Sequence, residues 1–274
     1  MTQQQRLDYL VGQFWQESAP SRPLTLPASV AEKRRILRSL MNTRMPAPLP
    51  EQVRQVQDEY LCARAAERGI VPLSALPTVA EALGSALPEG RLISLWQGDI
   101  TLLAVDAIVN AANAQMLGCF VPMHQCIDNC IHTFAGVQLR QECARRMETL
   151  RSRFGGDYLQ PTAQPMLTDA YNLPAKKVIH VVGPVVEGSL TPRHEAELAD
   201  CYRNVLNLCA ENGLKTVAFC CISTGVFRFP GDRAAEIAVD TVRHWLAGHA
   251  GQMERVVFNV FQDNDLARYR AILS

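Results

Sequence analysis

Residues 215–248 read KTVAFCCISTGVFRFPGDRAAEIAVDTVRHWLAG, and the succession of textures inside that stretch decides the fold. A short apolar run, KTVAFCCIST, reads as a buried strand. The loop GVFRFP follows it, and GDRAAEIAVDTVRHWLAG then takes up helical spacing. Working outward, the same alternation recurs. RLISLWQG and AVDAIVNAAN upstream are strand-like, HQCIDNCIHTFAGVQLRQECARRM is one helix with Ile127, Ile131, Ala135 and Leu139 on one face, and KKVIHVVGP is a strand. PRHEAELADCYRNVLNLCAENG is a helix ending at Gly213, ERVVFNVFQ a strand and DNDLARYRAIL a closing helix. Strands alternating with helices of this length predict an α/β layered domain with a mixed, largely parallel sheet. Ligands of such sheets lie beyond the carboxyl ends of the strands. The loops after residues 97, 109, 182, 222 and 261 are therefore the ones that carry function.

Before residue 91 the texture differs. RLDYLVGQFW places apolar residues at 7, 10, 11 and 14, a helical stripe. PASVAEKRRILRSLMNTR enters a second helix near Ser29 and buries Val30, Ile36, Leu37, Leu40 and Met41, and PEQVRQVQDEYLCARAAERG is a third that stops at Gly69. VPLSALPTVAEALGSALPEG, broken by three prolines, reads as linker with short helical turns. The chain divides on this reading into an N-terminal helical extension, 1–90, and an α/β domain, 91–274.

Lysine plus arginine balances aspartate plus glutamate at 27 each, so no overall field gathers nucleic acid or an anionic membrane, and an anionic ligand must be held by local geometry. No apolar run approaches the roughly 20 residues that span a bilayer, and MTQQQRLDYLVGQFWQE lacks the layout of a secretory signal. A cytoplasmic, monomeric protein without nucleic-acid or membrane partners is expected. The nine cysteines have no framework spacing, and in a reducing compartment most should be small buried hydrophobes. Cys201, Cys209, Cys220 and Cys221 fit that reading. Cys119, Cys126 and Cys130 stand apart because histidine lies among them.

At the strand ends, GDIT (98–101) offers an aspartate that either caps the next segment or meets a ligand. NAAN (110–113) sets two amides around two small residues, which is a turn or a place where a ligand approaches backbone. Ser223, Thr224 and Gly225 put backbone N–H groups in a Cβ-poor turn between strand and helix, an anion nest suited to a diphosphate, with Phe227 as an aromatic face beside it.

GDIT, NAAN, VIHVVGP (178–184) and ISTGVFRFP (222–230), in this order, resemble the macrodomain family over residues 91–274. The resemblance implies a three-layer α/β/α domain that binds ADP-ribose. Asp99, with the Ile100 backbone beside it, then recognises adenine, and Asn113 and Ile127 border the distal ribose. Ser223, Thr224, Gly225, Val226 and Phe227 cradle the diphosphate, and Phe261 packs on adenine. Where most hydrolytic macrodomains carry a run of glycines, this chain has LGCFVPMHQCIDNCIH (117–132). That departure is similar to the zinc-containing branch associated with sirtuin-type ADP-ribosyltransferases, whose members remove mono-ADP-ribose from proteins.

The spacing C-x4-H-x-C, Cys119, His124 and Cys126, supplies thiolate and imidazole ligands for one Zn²⁺ and leaves a fourth position open. As a bare motif it fits buried cysteines equally well; the resemblance implies zinc. Asp128 is an acidic first-turn residue, and the resemblance implies that it acts with Asn113 in catalysis. Cys130 and His132 are expected to pack in the helix. The implied reaction is hydrolysis of the bond between the distal ribose and a protein Asp or Glu side chain, at the sugar carbon as in a glycosidase or at the ester carbonyl. A reader that binds ADP-ribosylated partners around a structural zinc is the alternative.

Overall fold

The computed structural model describes residues 1–274, which fall into two compact units interleaved along the chain. The first takes in residues 1–69, 115–158 and 170–173, and the second residues 70–114, 159–169 and 174–274.

The first unit is helical. Helices α1 (Gln3–Ser18), α2 (Val30–Thr43) and α3 (Glu51–Arg68) are joined in it by α4 (Ile127–Ala135) and α5 (Val137–Phe154). The α1 stripe of Leu7, Leu10, Val11 and Phe14 is buried against Leu37 and Met41 of α2 and Val53, Val56, Tyr60 and Leu61 of α3. Thr2 closes a capping box on α1 and the Ser29 side chain accepts from the Glu32 N–H, so both helices start at side chains that satisfy otherwise orphaned donors. The single helix expected across 124–147 is two. Gly136 sits at φ +95°, a conformation an L side chain resists, and it ends α4 and starts α5. Ile131, Ala135 and Leu139 are buried as the spacing requires, while Ile127 is only half-buried.

The second unit is built on a six-stranded sheet of β1 (Ile93–Gln97), β2 (Ala107–Ala111), β3 (Met166–Asp169), β4 (Lys177–Val181), β5 (Thr216–Phe219) and β6 (Arg255–Val260). The spatial order is β1-β6-β5-β2-β4-β3, parallel throughout except for the edge strand β3, which runs against β4. Ile108 in the middle pairs with Val178 on one side and Ala218 on the other, and all three are fully buried, as both-face coverage of a parallel sheet demands. Helices α6 (Pro192–Glu211), α7 (Gly231–Gly248) and α8 (Asp263–Leu273) follow β4, β5 and β6. The segment read as linker carries a two-residue parallel ladder, Val71–Pro72 with Leu103–Ala104, and a one-turn helix at Val79–Leu83 capped by Thr78. No helix is long and apolar enough to cross a membrane.

Asp106 fixes the start of β2 against the start of β5. Its carboxylate accepts from the Lys215 and Thr216 N–H groups at 2.9 and 3.0 Å and from Lys176 Nζ at 2.7 Å. Partial burial works to raise its pKa, but Lys176, the Lys215 N–H and Thr216 more than offset that and hold the carboxyl below its ordinary value. A depressed folded pKa gives stability that is present above the unfolded value of about 3.9 and is lost as pH falls through the folded one. Asp106→Asn is expected to cost about 1 kcal/mol at pH 7, discounted for solvent screening. In paired thermal melts the gap between wild type and variant should close below about pH 4.

Candidate active site and metal centre

Each unit brings together one group of the residues singled out by sequence. In the second unit these lie at the carboxyl ends of parallel strands. Gly98 follows β1, its N–H donating to Val260 O at 3.0 Å and its carbonyl accepting from Asn259 Nδ2 at 2.9 Å. A Cβ at Gly98 would stand 2.3 Å from the Trp96 ring, which only glycine avoids. Asp99 does cap the next turn: its Oδ1 accepts from Thr101 N at 2.9 Å and from Thr101 Oγ1 at 2.6 Å. Ile100 is buried. Asn113 lies two residues past β2 and is half-buried, with Ala112 before it tied to Val181 O.

Beyond β5 the chain turns sharply. Ser223 adopts φ +66° and Arg228 φ +58°, both left-handed. Phe229 N donates to Ser223 O, Arg228 N to Gly225 O and Thr224 Oγ1 to Cys221 O, while Phe227 O accepts from Val186 N. These bonds close the loop without using the N–H groups of Thr224, Gly225 or Val226. Ser223 Oγ is buried and has no protein partner, and it sits so close to Gly183 that a Cβ there would lie 2.0 Å away. Such a turn, with N–H groups and a buried hydroxyl uncommitted, is chemically able to receive anionic oxygens. Phe227 is half-buried beside it, Val226 is exposed, and Phe261 after β6 is 74% exposed.

In the first unit the metal-type residues converge. The ligand atoms of Cys119, His124 and Cys126 all lie within 4.8 Å of one another, and Cys119 Sγ is 3.5 Å from His124 Nδ1. An S–N edge of a tetrahedral zinc site is roughly 3.6 Å from ordinary bond lengths, so the donor set fits the ion. Cys126 is also the N-cap of α4, its Sγ accepting from Asn129 N at 3.4 Å. Burial pushes its thiol up to about 12, and neighbouring Cys119 and Asp128 add to that while the Asn129 N–H works against it. A bound cation would supply the charge that lets such thiols ionise.

Asp128 opens α4 and is 5% exposed, with His132 Nε2 3.6 Å from its Oδ1 one helical turn on. His132 is buried as expected, and its imidazole packs where a Cβ on Gly118 would approach within 2.7 Å. Gly118 thus packs directly against the His132 ring. Cys130 is half-buried and receives Arg38 Nη2 at 3.6 Å.

Sequence reasoning missed the side chains that hold this loop. Arg38 Nη2 donates to His124 O at 2.7 Å and Asn129 Oδ1 at 2.9 Å. Asn42, 1% exposed, accepts from Met123 N at 3.0 Å and donates to Thr133 Oγ1 at 2.9 Å, fixing Met123 at φ +62°. Asn129 Nδ2 donates to the carbonyls of Cys119 and Val121. Arg140 Nε donates to Leu117 O, its guanidinium lies over the Phe120 ring at 4.1 Å, and Nη1 reaches the carbonyls of Met41 and Asn42. The N-terminal helices are therefore the scaffold of the ligand loop. The available signal was Asn42, a buried-face polar residue directly after Met41 in an apolar stripe.

A relative from Treponema medium, named a protein-ADP-ribose hydrolase, is 46% identical over 274 residues, covering 100% of both chains. The Macro domain family matches residues 109–238. The chain belongs to the macrodomain family. A protein-ADP-ribose hydrolase of Staphylococcus aureus (strain MSSA476) is 41% identical over 266 residues, 97% of this chain and 94% of its own. The crystal structure of a Trypanosoma brucei macrodomain in complex with ADP-ribose superposes with a TM-score of 0.65 at 30% identity, covering 91% of this chain and 97% of that one. The three-layer α/β/α macrodomain fold with a mixed, mostly parallel sheet and an N-terminal helical part is thereby established.

Proposed function

We propose that this macrodomain is a zinc-dependent hydrolase that removes mono-ADP-ribose from Asp and Glu side chains of modified proteins and releases ADP-ribose. The observation that carries the reading is the convergence of Cys119, His124 and Cys126 one turn ahead of the buried carboxylate of Asp128. Full-length similarity to relatives named protein-ADP-ribose hydrolases supports it.

Asp99 and the Ile100 backbone take the adenine, and the Ser223–Phe227 turn takes the diphosphate with its uncommitted N–H groups and the Ser223 hydroxyl. Binding energy gathered there is remote from the reacting bond and fixes the distal ribose in place. Asn113 and Ile127 border that ribose. Asp128 holds the attacking water, takes its proton, and stabilises the positive charge that develops as the sugar–carboxylate bond breaks. Cys119, His124 and Cys126 would hold the zinc, which would supply Lewis acidity towards an oxygen ligand, softened by the charge of the two thiolates. A sirtuin-type ADP-ribosyltransferase is the class of enzyme that would produce the substrate, and the protein works as a cytoplasmic monomer.

The test pairs calorimetric binding of ADP-ribose with its release from a protein carrying mono-ADP-ribose on Asp or Glu, read by mass spectrometry. Binding together with release is expected. Binding with no release from any modified substrate would make the protein a reader.

A further inference from the structure

A cavity of about 220 Å³ lies within the helical unit, between α2 and α3, with Met123 and α4 closing one side. Its apolar wall is made by Leu37, Met41, Leu61 and Phe134. Four arginines, Arg34, Arg35, Arg38 and Arg64, also line it. One carboxylate serves them: Glu67 pairs with Arg64 and, at 3.4 Å, with Arg34. Arg35 and Arg38 pair with no carboxylate, and Arg38 spends its Nη2 on neutral acceptors at His124, Asn129 and Cys130.

Four arginines with a single carboxylate among them leave an excess of positive charge around the cavity, which an anionic occupant offsets. Guanidinium forks match carboxylate geometry and form charge-assisted bonds with it. The volume admits a group about the size of one large side chain, and the wall is apolar. We propose that this cavity is a binding site for a compact apolar carboxylate, such as an aryl- or alkyl-substituted propionate or an acidic residue flanked by an apolar one. The site stands apart from the ADP-ribose reading and does not depend on it. Because Met123 and Arg38 both line it, its occupant sits one residue from His124.

The probe is 3-phenylpropionate, titrated into the full-length protein and followed by calorimetry and by the ¹³C-methyl resonances of Met41 and Met123. Its neutral amide is the control, and acetyl-Asp-Phe-amide is the peptide arm. The acid should shift both methionine methyls and bind at least about tenfold more tightly than the amide, the effect of losing one charge-assisted contact. Arg34→Gln with Arg64→Gln should weaken the acid by a similar factor, with the unaltered wild-type comparison standing even if that variant folds poorly. A tighter peptide assigns the carboxylate to a protein partner, and a tighter free acid to a small metabolite. Equal binding of acid and amide, absence of binding by either carboxylate, or shifts away from Met41 and Met123 would overturn the proposal.

Discussion

Arg140→Ala is expected to lower unfolding free energy by about 3–5 kcal/mol, a large share of a typical domain's total. The side chain is 4% exposed, and burial pushes its pKa down to about 10, against which the Asp128 carboxylate works, so it is charged at neutral pH. Its Nε and Nη1 donate to the carbonyls of Leu117, Met41 and Asn42 at 2.8, 3.2 and 2.9 Å. Truncation leaves these buried acceptors without donors and opens a cavity against Phe120. Arg140→Lys keeps the charge but not the planar fork, and should recover only part of the loss. Urea midpoints at constant slope give the measurement. A loss below about 1 kcal/mol would mean that the ligand loop does not depend on this guanidinium.

Asp128→Asn is expected to slow ADP-ribose release by at least about a hundredfold, the usual weight of a positioned general base. The substitution preserves volume, so the packing against His132 and the first turn of α4 remain. What disappears is the negative charge that, in the proposed mechanism, accepts the water's proton and faces developing positive charge at the sugar. Zinc content and ADP-ribose affinity should stay within about threefold of wild type, which separates loss of chemistry from loss of binding. Release within about fivefold of wild type would remove Asp128 from the reaction and shift the proton transfer to another group.

The parts legible in the sequence were those written locally. The α1 stripe at 7, 10, 11 and 14 is one face of one helix, and all four residues are buried. The C-x4-H-x-C spacing is confined to eight residues, and the three side chains do meet. The strand-to-helix turn at Ser223 was visible from its small residues, although the left-handed φ of Ser223 itself was not. Strand β3 escaped notice because MLTD is four residues long and takes its identity from pairing with β4, not from its own pattern. The helix break at Gly136 was hidden by continuous apolar spacing on either side. Most opaque were Arg38, Asn42 and Arg140, whose partners lie 81 to 99 residues away in sequence wherever they join the N-terminal helices to the ligand loop and α4–α5. The place of Asn42 in an apolar stripe marks it as unusual, but no local pattern encodes which distant partners these three residues meet.

The account turns on Cys119, His124 and Cys126 acting as one metal face. Zinc per chain, measured by plasma mass spectrometry on full-length protein purified without chelator, tests it most directly. Wild type is expected to carry about one equivalent and Cys126→Ser less than about a tenth, because a hydroxyl replaces one of only three ligands. Less than about half an equivalent in wild type, or an unchanged content in Cys126→Ser, would contradict it.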